Sequence, residues 1–215
     1  MPLLDLDPDQ LLSTTRAVRR RLDLSRPVPD DLIRECVALA LQAPSGGNEI
    51  VMRFVVIREP AMIKAIGDVY AQCWTVYEAS PRFAGKLPRH TDELRAQQGR
   101  VVDSAAWLGQ HVGDCPALVI GYLGRRIDGL PGSATVSALG SVLPAMWSFM
   151  LAARARGLGT SWTTIHLAME EAVADIVGIS FASTQQVCLT PVAFTLGTDF
   201  KPALRPDPDT VIDWR

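Results

Sequence analysis

The chain has 215 residues, 48% of them hydrophobic and 20% charged, with a formal net charge of −2. That is enough apolar chain to bury a core in one domain, and the balanced charge gives no reason to expect nucleic acid or a membrane as partner. Four cysteines (Cys36, Cys73, Cys115, Cys188) and three histidines (His90, His111, His166) are scattered with no CxxC pair. They read as inert thiols of a reducing cytoplasm and leave no metal site in view.

The opening residues MPLLDLDPDQ have neither a basic region nor a long apolar run, so they do not read as a secretory signal. Asp9 is a candidate cap for a short helix through Leu12, which ends in the cluster Arg16, Arg19, Arg20 and Arg21. Pro27-Val28-Pro29-Asp30 opens a second helix with Asp30 as candidate N-cap. Leu32, Ile33, Cys36, Val37, Ala40 and Leu41 then recur at helical spacing until Pro44-Ser45-Gly46-Gly47-Asn48 stops them. Phe54 to Ile57 reads as a buried strand, and Pro60 opens a helix carrying Ile63, Ile66 and Tyr70 on one side.

Ser80 to Thr91, with Pro81, Gly85 and Pro88, is expected to be an exposed excursion before a helix from Asp92 to about His111. Ala117 to Ile120 is a second strand, and the loop Gly124 to Gly132 leads to a long helix over Val136 to Arg156. Ser137, Ser141, Pro144 and Ser148 interrupt its apolar run, so it suits a protein core better than a bilayer, whose span needs about 20 apolar residues. Gly157-Leu158-Gly159 ends it with a residue able to take a left-handed C-cap. A short strand near Thr160 to Thr163, a helix over Glu170 to Val177 and a strand over Val187 to Leu196, interrupted by Pro191, follow. Pro202 to Arg215 should be an extended tail. Helices outnumber strands without regular βαβ alternation, which predicts an α+β fold in a single domain over 1–215. GxGxxG and GxxxxGK[ST] are both absent.

Four features bear on chemistry. The segment Thr14 to Asp23 is rich in arginine, whose forked guanidinium suits phosphate. The loop Ala43-Pro44-Ser45-Gly46-Gly47-Asn48 lets backbone approach a flat ligand and offers two polar side chains. Gly157 to Thr164 delivers hydroxyls and amides after a long helix, and Lys201 with Arg205 places two cations in the tail. Each of these alone is an ordinary loop or a solvated charge.

In order and at these spacings, the four resemble the nitroreductase family of FMN-dependent oxidoreductases. TTRAVRRRLDLSRPVP resembles the family's opening arginine motif, APSGGN its Pro-Ser-x-x-Asn loop, WSFMLAARARGLGTSW its dimer-core helix, and LTPVAFTLG with Lys201 and Arg205 its last strand and phosphate grip. The wording of LDLSRPVP and SWTTIHL suggests an actinobacterial branch. The resemblance implies a central, mostly antiparallel sheet flanked by helices, an intertwined homodimer, and a ping-pong exchange from NADH or NADPH through FMN to a nitroaromatic, quinone or similar flat acceptor. It also implies that Arg16 and Ala17 hold the phosphate and ribityl chain, that Arg19 or Arg20 meets the pyrimidine edge, and that Pro44, Ser45, Gly46 and Asn48 line the ring from the partner. Thr163, Thr164 and Ile165 would face the ring near N5, and Arg205 with Lys201 would close on the phosphate. The flavin carries the chemistry in such a scheme, so no protein catalytic residue is required.

The pattern also departs from the family's. Thr15 replaces a common arginine, Ala17 replaces a serine, and Glu49-Ile50-Val51-Met52 follows the loop. Glu49, Ser141 and His166 are candidate proton sources, each with a structural reading beside it; Trp162 suits the floor of a flavin site or the core, and Trp214 a tail wrapped over a partner. A flavin-sequestering protein of the same fold and a cofactor-free helical interaction module are the alternatives to a reductase.

Overall fold

The computed structural model describes residues 3–215; Met1 and Pro2, part of the span read for a leader and of the expected domain, lie outside it. Asp7, rather than Asp9, is the N-cap of α1 (Pro8–Thr14). Its carboxylate accepts from the Gln10 amide at 2.7 Å while the Asp7 amide donates to the Gln10 side chain at 3.1 Å. Pro8 at the first helical position favours that reciprocal cap and leaves Asp9 in the first turn. At α2 (Asp30–Ala40) Pro29 takes the N-cap place and Asp30 is already helical, its carboxylate paired with Arg58.

The structure has five strands, of which β1 lies where the sequence suggested only an arginine-rich segment: β1 (Leu22–Asp23), β2 (Met52–Ile57), β3 (Leu118–Leu123), β4 (Leu158–Thr160) and β5 (Gln185–Thr195). The sheet order is β1-β5-β3-β2, with β4 also beside β5, and every pairing is antiparallel. Two expectations are corrected here. β5 runs unbroken through Pro191, because the neighbouring amides show which way the ring nitrogen faces. Leu189 donates to Thr163 on one side and Val192 to Ala117 on the other. Alternation therefore turns the Pro191 nitrogen toward the β4 side, just past the end of β4 at Thr160, where no ladder bond is lost. For the same reason the strand expected over Thr160 to Thr163 breaks after Thr160 and resumes only as a bridge between Thr163 and Leu189. In the gap, the Ser161 amide donates to Thr190 Oγ1 at 2.9 Å.

Helices cover both faces. Along β3 and β5 the period of two sends Leu118, Ile120, Leu189 and Ala193 to one side, against Ile66 and Tyr70 of α3 (Pro60–Ala79), Leu108 of α4 (Asp92–His111) and Val173 of α6 (Glu170–Val177). Val119, Val192 and Phe194 go to the other side, against Ile33 and Cys36 of α2 and Phe149 and Met150 of α5 (Gly132–Ala155). The result is an α+β sandwich with an antiparallel centre. α5 begins four residues before the expected Val136 and ends on Gly157 at φ 73°, the left-handed turn that glycine permits. It is long and apolar enough to cross a membrane, but half of its most apolar stretch is buried inside the protein. All four cysteines are buried free thiols, and burial pushes Cys36 up to about 11 and both Cys115 and Cys188 up to about 12.

α3 crosses the turn after α4 at its tightest point. A Cβ on Gly67 would lie 2.5 Å from the Gly113 Cα, a backbone atom that cannot step aside. Alanine normally gains about 0.5–1 kcal/mol over glycine inside a helix, and exposed Gly99 of α4 has nothing within 4 Å to oppose that gain. Gly67→Ala should instead lose about 1–3 kcal/mol net through overpacking. Thermal unfolding is therefore expected to fall by several degrees for Gly67→Ala and rise slightly for Gly99→Ala. A rise in both variants would show that the crossing is not tight.

Candidate functional site

Between α1 and β1 the chain runs extended, pinned by buried Val18, whose amide donates to the Thr160 carbonyl at 2.8 Å. That anchor turns the side chains on either side of Val18 outward over α4. Arg16 Nη1 donates to the Lys201 carbonyl at 2.9 Å, and Arg19 Nη1 donates to Ser104 Oγ at 3.1 Å. With Ala17, they line a cavity of about 600 Å³ whose far wall is Glu93, Gln97, Arg100 and Ser104 of α4 and whose rim is Pro202 to Leu204. Among the described residues Arg100 makes no hydrogen bond or ion pair, and Glu93 is the only acid on the lining.

Arg19 and Val101 also line a second cavity of about 520 Å³, so the two form one cleft with a polar and an apolar half. The apolar half lies between α3, α4 and the stretch Ser161 to Ile165, and among the described residues no carboxylate lines it. Tyr70 Oη and Thr163 Oγ1 hydrogen-bond at 2.8 Å in its wall, and burial pushes the Tyr70 phenol above its usual value of 10.0. Burial also lowers the Arg19 guanidinium below its ordinary value, but an arginine side chain keeps its charge in a protein. The Ser161 hydroxyl is buried beside the cleft and finds no partner among the described residues. Trp74, Tyr77 and Phe83 meet edge to face at centroid distances of 5.7, 6.1 and 5.4 Å.

The tail is tied in just before it reaches the cleft. Arg154, itself buried, donates to the Thr198 carbonyl at 3.0 Å, and its guanidinium and that of Arg21 lie 4.9 and 4.3 Å from the Phe200 ring centre. These contacts bring the Lys201 carbonyl to Arg16, while the side chains of Lys201 and Arg205 stay exposed.

Compared with known proteins, the chain matches the model of the nitroreductase family over residues 12–197. It belongs to the nitroreductase family. No curated protein matches it significantly. Among solved structures it is similar to an FMN and NADPH-dependent nitroreductase from Sphigopyxis sp. strain HMH, at 22% identity with 98% of this chain and 99% of that one covered and a TM-score of 0.68. A BluB-like flavoprotein from Clostridium difficile 630 superposes at TM-score 0.68 with 16% identity and 98% and 99% coverage. An iodotyrosine deiodinase, solved with FMN and 3-iodo-L-tyrosine, does so at 0.67 with 20% identity and 91% and 93% coverage.

Of the residues singled out in the sequence, this nitroreductase fold gathers Arg16, Ala17, Arg19, Thr163, Thr164 and Ile165 around the cleft. Arg20 points away, donating to the Asp103 carbonyl at 3.3 Å, so Arg19 is the cation that enters. Among the described residues Arg205 bonds only its neighbour's carbonyl, at Leu204. Pro44, Ser45, Gly46 and Asn48 lie elsewhere, at the flank of α5, where the Gly46 amide donates to Ser141 Oγ at 3.0 Å. None of the three candidate proton sources lines the cleft. Ser141 is occupied by that bond, Glu49 lies exposed beside the same loop, and His166 is wholly buried. With neither ring nitrogen bonded among the described residues, burial lowers His166 from 6.5 to about 3.

Other lining residues went unnoticed in the sequence. Glu93, Gln97, Arg100 and Ser104 recur at three and four residues, the mark of one helix face. Trp74 and Tyr77 do the same on α3, continuing the side on which the sequence already placed Tyr70.

Proposed function

We propose that the protein is an FMN-dependent oxidoreductase that takes reducing equivalents from NADH or NADPH and passes them to small flat acceptors in a ping-pong scheme. The cleft carries this reading: an arginine-lined polar half opens through Arg19 into an acid-free half walled by aromatic side chains. Arg16 and Arg100 suit the phosphate, since a guanidinium forks onto two of its oxygens, and Ala17 leaves room for the ribityl chain beside them. Exposed Lys201 and Arg205 would close over the phosphate from the tail. Thr163, Thr164 and Ile165 would face the ring, their backbone fixed by the Thr163 bridge to Leu189 and the hydroxyl bond to Tyr70.

When bound, FMN supplies the two-electron chemistry, and the protein supplies position and field. Arg19 does the second task at the junction of the two halves. Half withdrawn from water and braced on Ser104, its charge stabilises negative charge on a neighbouring ring more strongly than an exposed cation could. The aromatic wall keeps water from the opposite side.

The same reading pairs two copies of the chain. Val136, Leu143 and Trp147 form an exposed apolar stripe along α5 at helical spacing, 71%, 39% and 38% accessible. The Ser45 to Asn48 loop lies on the flank of the same helix, so a partner seated there would bring its own loop to the cleft it does not reach within one chain.

The visible spectrum of the purified protein, with the cofactor identified after denaturation, is the test. Oxidised-flavin bands at roughly one FMN per chain are expected, bleached by NADH or NADPH and restored by a quinone. A colourless protein that stays so after incubation with FMN refutes the reading.

A further inference from the structure

One cation in the apolar half has no task in binding the flavin. Arg82 lines that half from the segment after α3, is exposed, and makes no hydrogen bond or ion pair among the described residues. Its neighbour Phe83 completes the three-ring cluster with Trp74 and Tyr77.

The segment that carries Arg82 is fixed at both ends. The Ala84 amide donates to Tyr77 Oη at 2.9 Å, and Gln98 Nε2 donates to the Ala84 carbonyl at 2.9 Å. Lys86 Nζ donates to the Glu78, Ala79 and Ser80 carbonyls at 3.2, 3.0 and 3.1 Å, closing the end of α3. An unpaired guanidinium is thus held beside an aromatic wall, in a cavity with no carboxylate of its own to neutralise it.

Resting on the flavin reading above, we infer that the acceptor of this enzyme is a single aromatic ring bearing a carboxylate, and that Arg82 selects it. The ring lies against Trp74 and Phe83, where edge-to-face contact favours a flat π-system. The carboxylate meets Arg82, whose planar fork matches two oxygens and whose charge no carboxylate on the lining neutralises. A phosphate of the nicotinamide donor is the other anion that a guanidinium could take. The aromatic cluster next to Arg82 favours the ring carboxylate.

The experiment titrates the FMN-loaded protein with para-nitrobenzoate and with para-nitrobenzamide, which keep the ring and differ in charge. Binding is read by quenching of tryptophan fluorescence and acceptor use by kcat/KM, with FMN content measured in parallel. The wild type should prefer the carboxylate by about tenfold in both readouts, the order expected for a charge-assisted bond at a half-open site. Arg82→Gln should abolish the preference, and Arg82→Lys should retain part of it. Equal binding of the two probes by the wild type overturns the inference, as does a preference that survives in Arg82→Gln. Loss of affinity for NADPH in Arg82→Gln with the carboxylate preference intact would also overturn it, and would assign Arg82 to the donor. If the protein holds no FMN, the flavin reading fails first; the fluorescence titration of the cofactor-free chain then decides whether Arg82 still recognises the carboxylate.

Discussion

Arg16→Ala weakens FMN binding by about 10- to 150-fold, while riboflavin, which lacks the phosphate, binds almost as it does to the wild type. The range follows from losing one charge-assisted hydrogen bond worth about 1.5–3 kcal/mol. Riboflavin is the informative ligand because Arg16 has a second role, bonding the Lys201 carbonyl at 2.9 Å and so holding the tail. A variant that merely loosened the tail would bind both flavins worse. One that lost its phosphate contact would lose the preference between them. Arg34→Ala is the control for net charge, since Arg34 pairs with Asp31 on the exposed side of α2. If Arg16→Ala binds FMN as tightly as the control does, Arg16 does not hold the phosphate. Raising the salt should narrow the gap between wild type and variant, because screening weakens the contact they differ in.

The second large effect is on stability against pH. His166 titrates near 6.5 in an unfolded chain and at about 3 in the fold, where burial disfavours its charged form. Between those values the unfolded state takes up a proton that the native state refuses. Stability is therefore fully present above pH 6.5 and declines as the pH falls toward 3, by about 1.4 kcal/mol per unit. By about pH 4.5 the loss attributable to this one ring is on the order of 2–3 kcal/mol. His166→Leu has similar bulk and no nitrogen to protonate or leave unbonded. Its urea midpoint should change less between neutral and acidic pH than that of the wild type, with little loss at neutral pH. Parallel pH dependence in the two proteins would show that His166 is protonated at no cost in the fold, against the buried and unbonded ring described above.

Much of the architecture was legible because it is written in local periodicity. Leu32, Ile33, Cys36 and Ala40 face the core where their spacing put them, and Gly157 ends α5 in the left-handed turn. The errors are local competitions that composition cannot rank. Two acids near Pro8 both suit an N-cap, and the Gln10 side chain decides for Asp7. Pro191 reads as a strand breaker until the direction of its nitrogen is known, and that direction depends on a partner strand about 30 residues away, at Thr160. The site divides in the same way. Arg16, Ala17 and Arg19 were found as an ordered motif in one segment. Arg100 and Arg82 were not, because a lone cation on a helix or loop looks like solvated charge until its missing partner is counted. The aromatic wall stayed hidden for a related reason: Trp74 and Tyr77 fit a core helix equally well, and only the fold of the following segment brings Phe83 against them.

The placement of β5 bears on how the chain comes to be folded at all. Among the described strands β1 and β4 have no partner other than β5, yet β5 follows every other strand in the chain. During translation, at about 5–20 residues per second, the segment from Asp23 to Gln185 takes about ten to thirty seconds to emerge. Through that interval the nascent chain can form only the β2–β3 ladder. α5, the most apolar helix, is made before Leu158, Val192 and Phe194, which complete the cluster it packs in. Chaperone dependence and aggregation should therefore be concentrated in chains stalled or truncated between Ala155 and Gln185, and should fall away once β5 has threaded into the centre of the sheet.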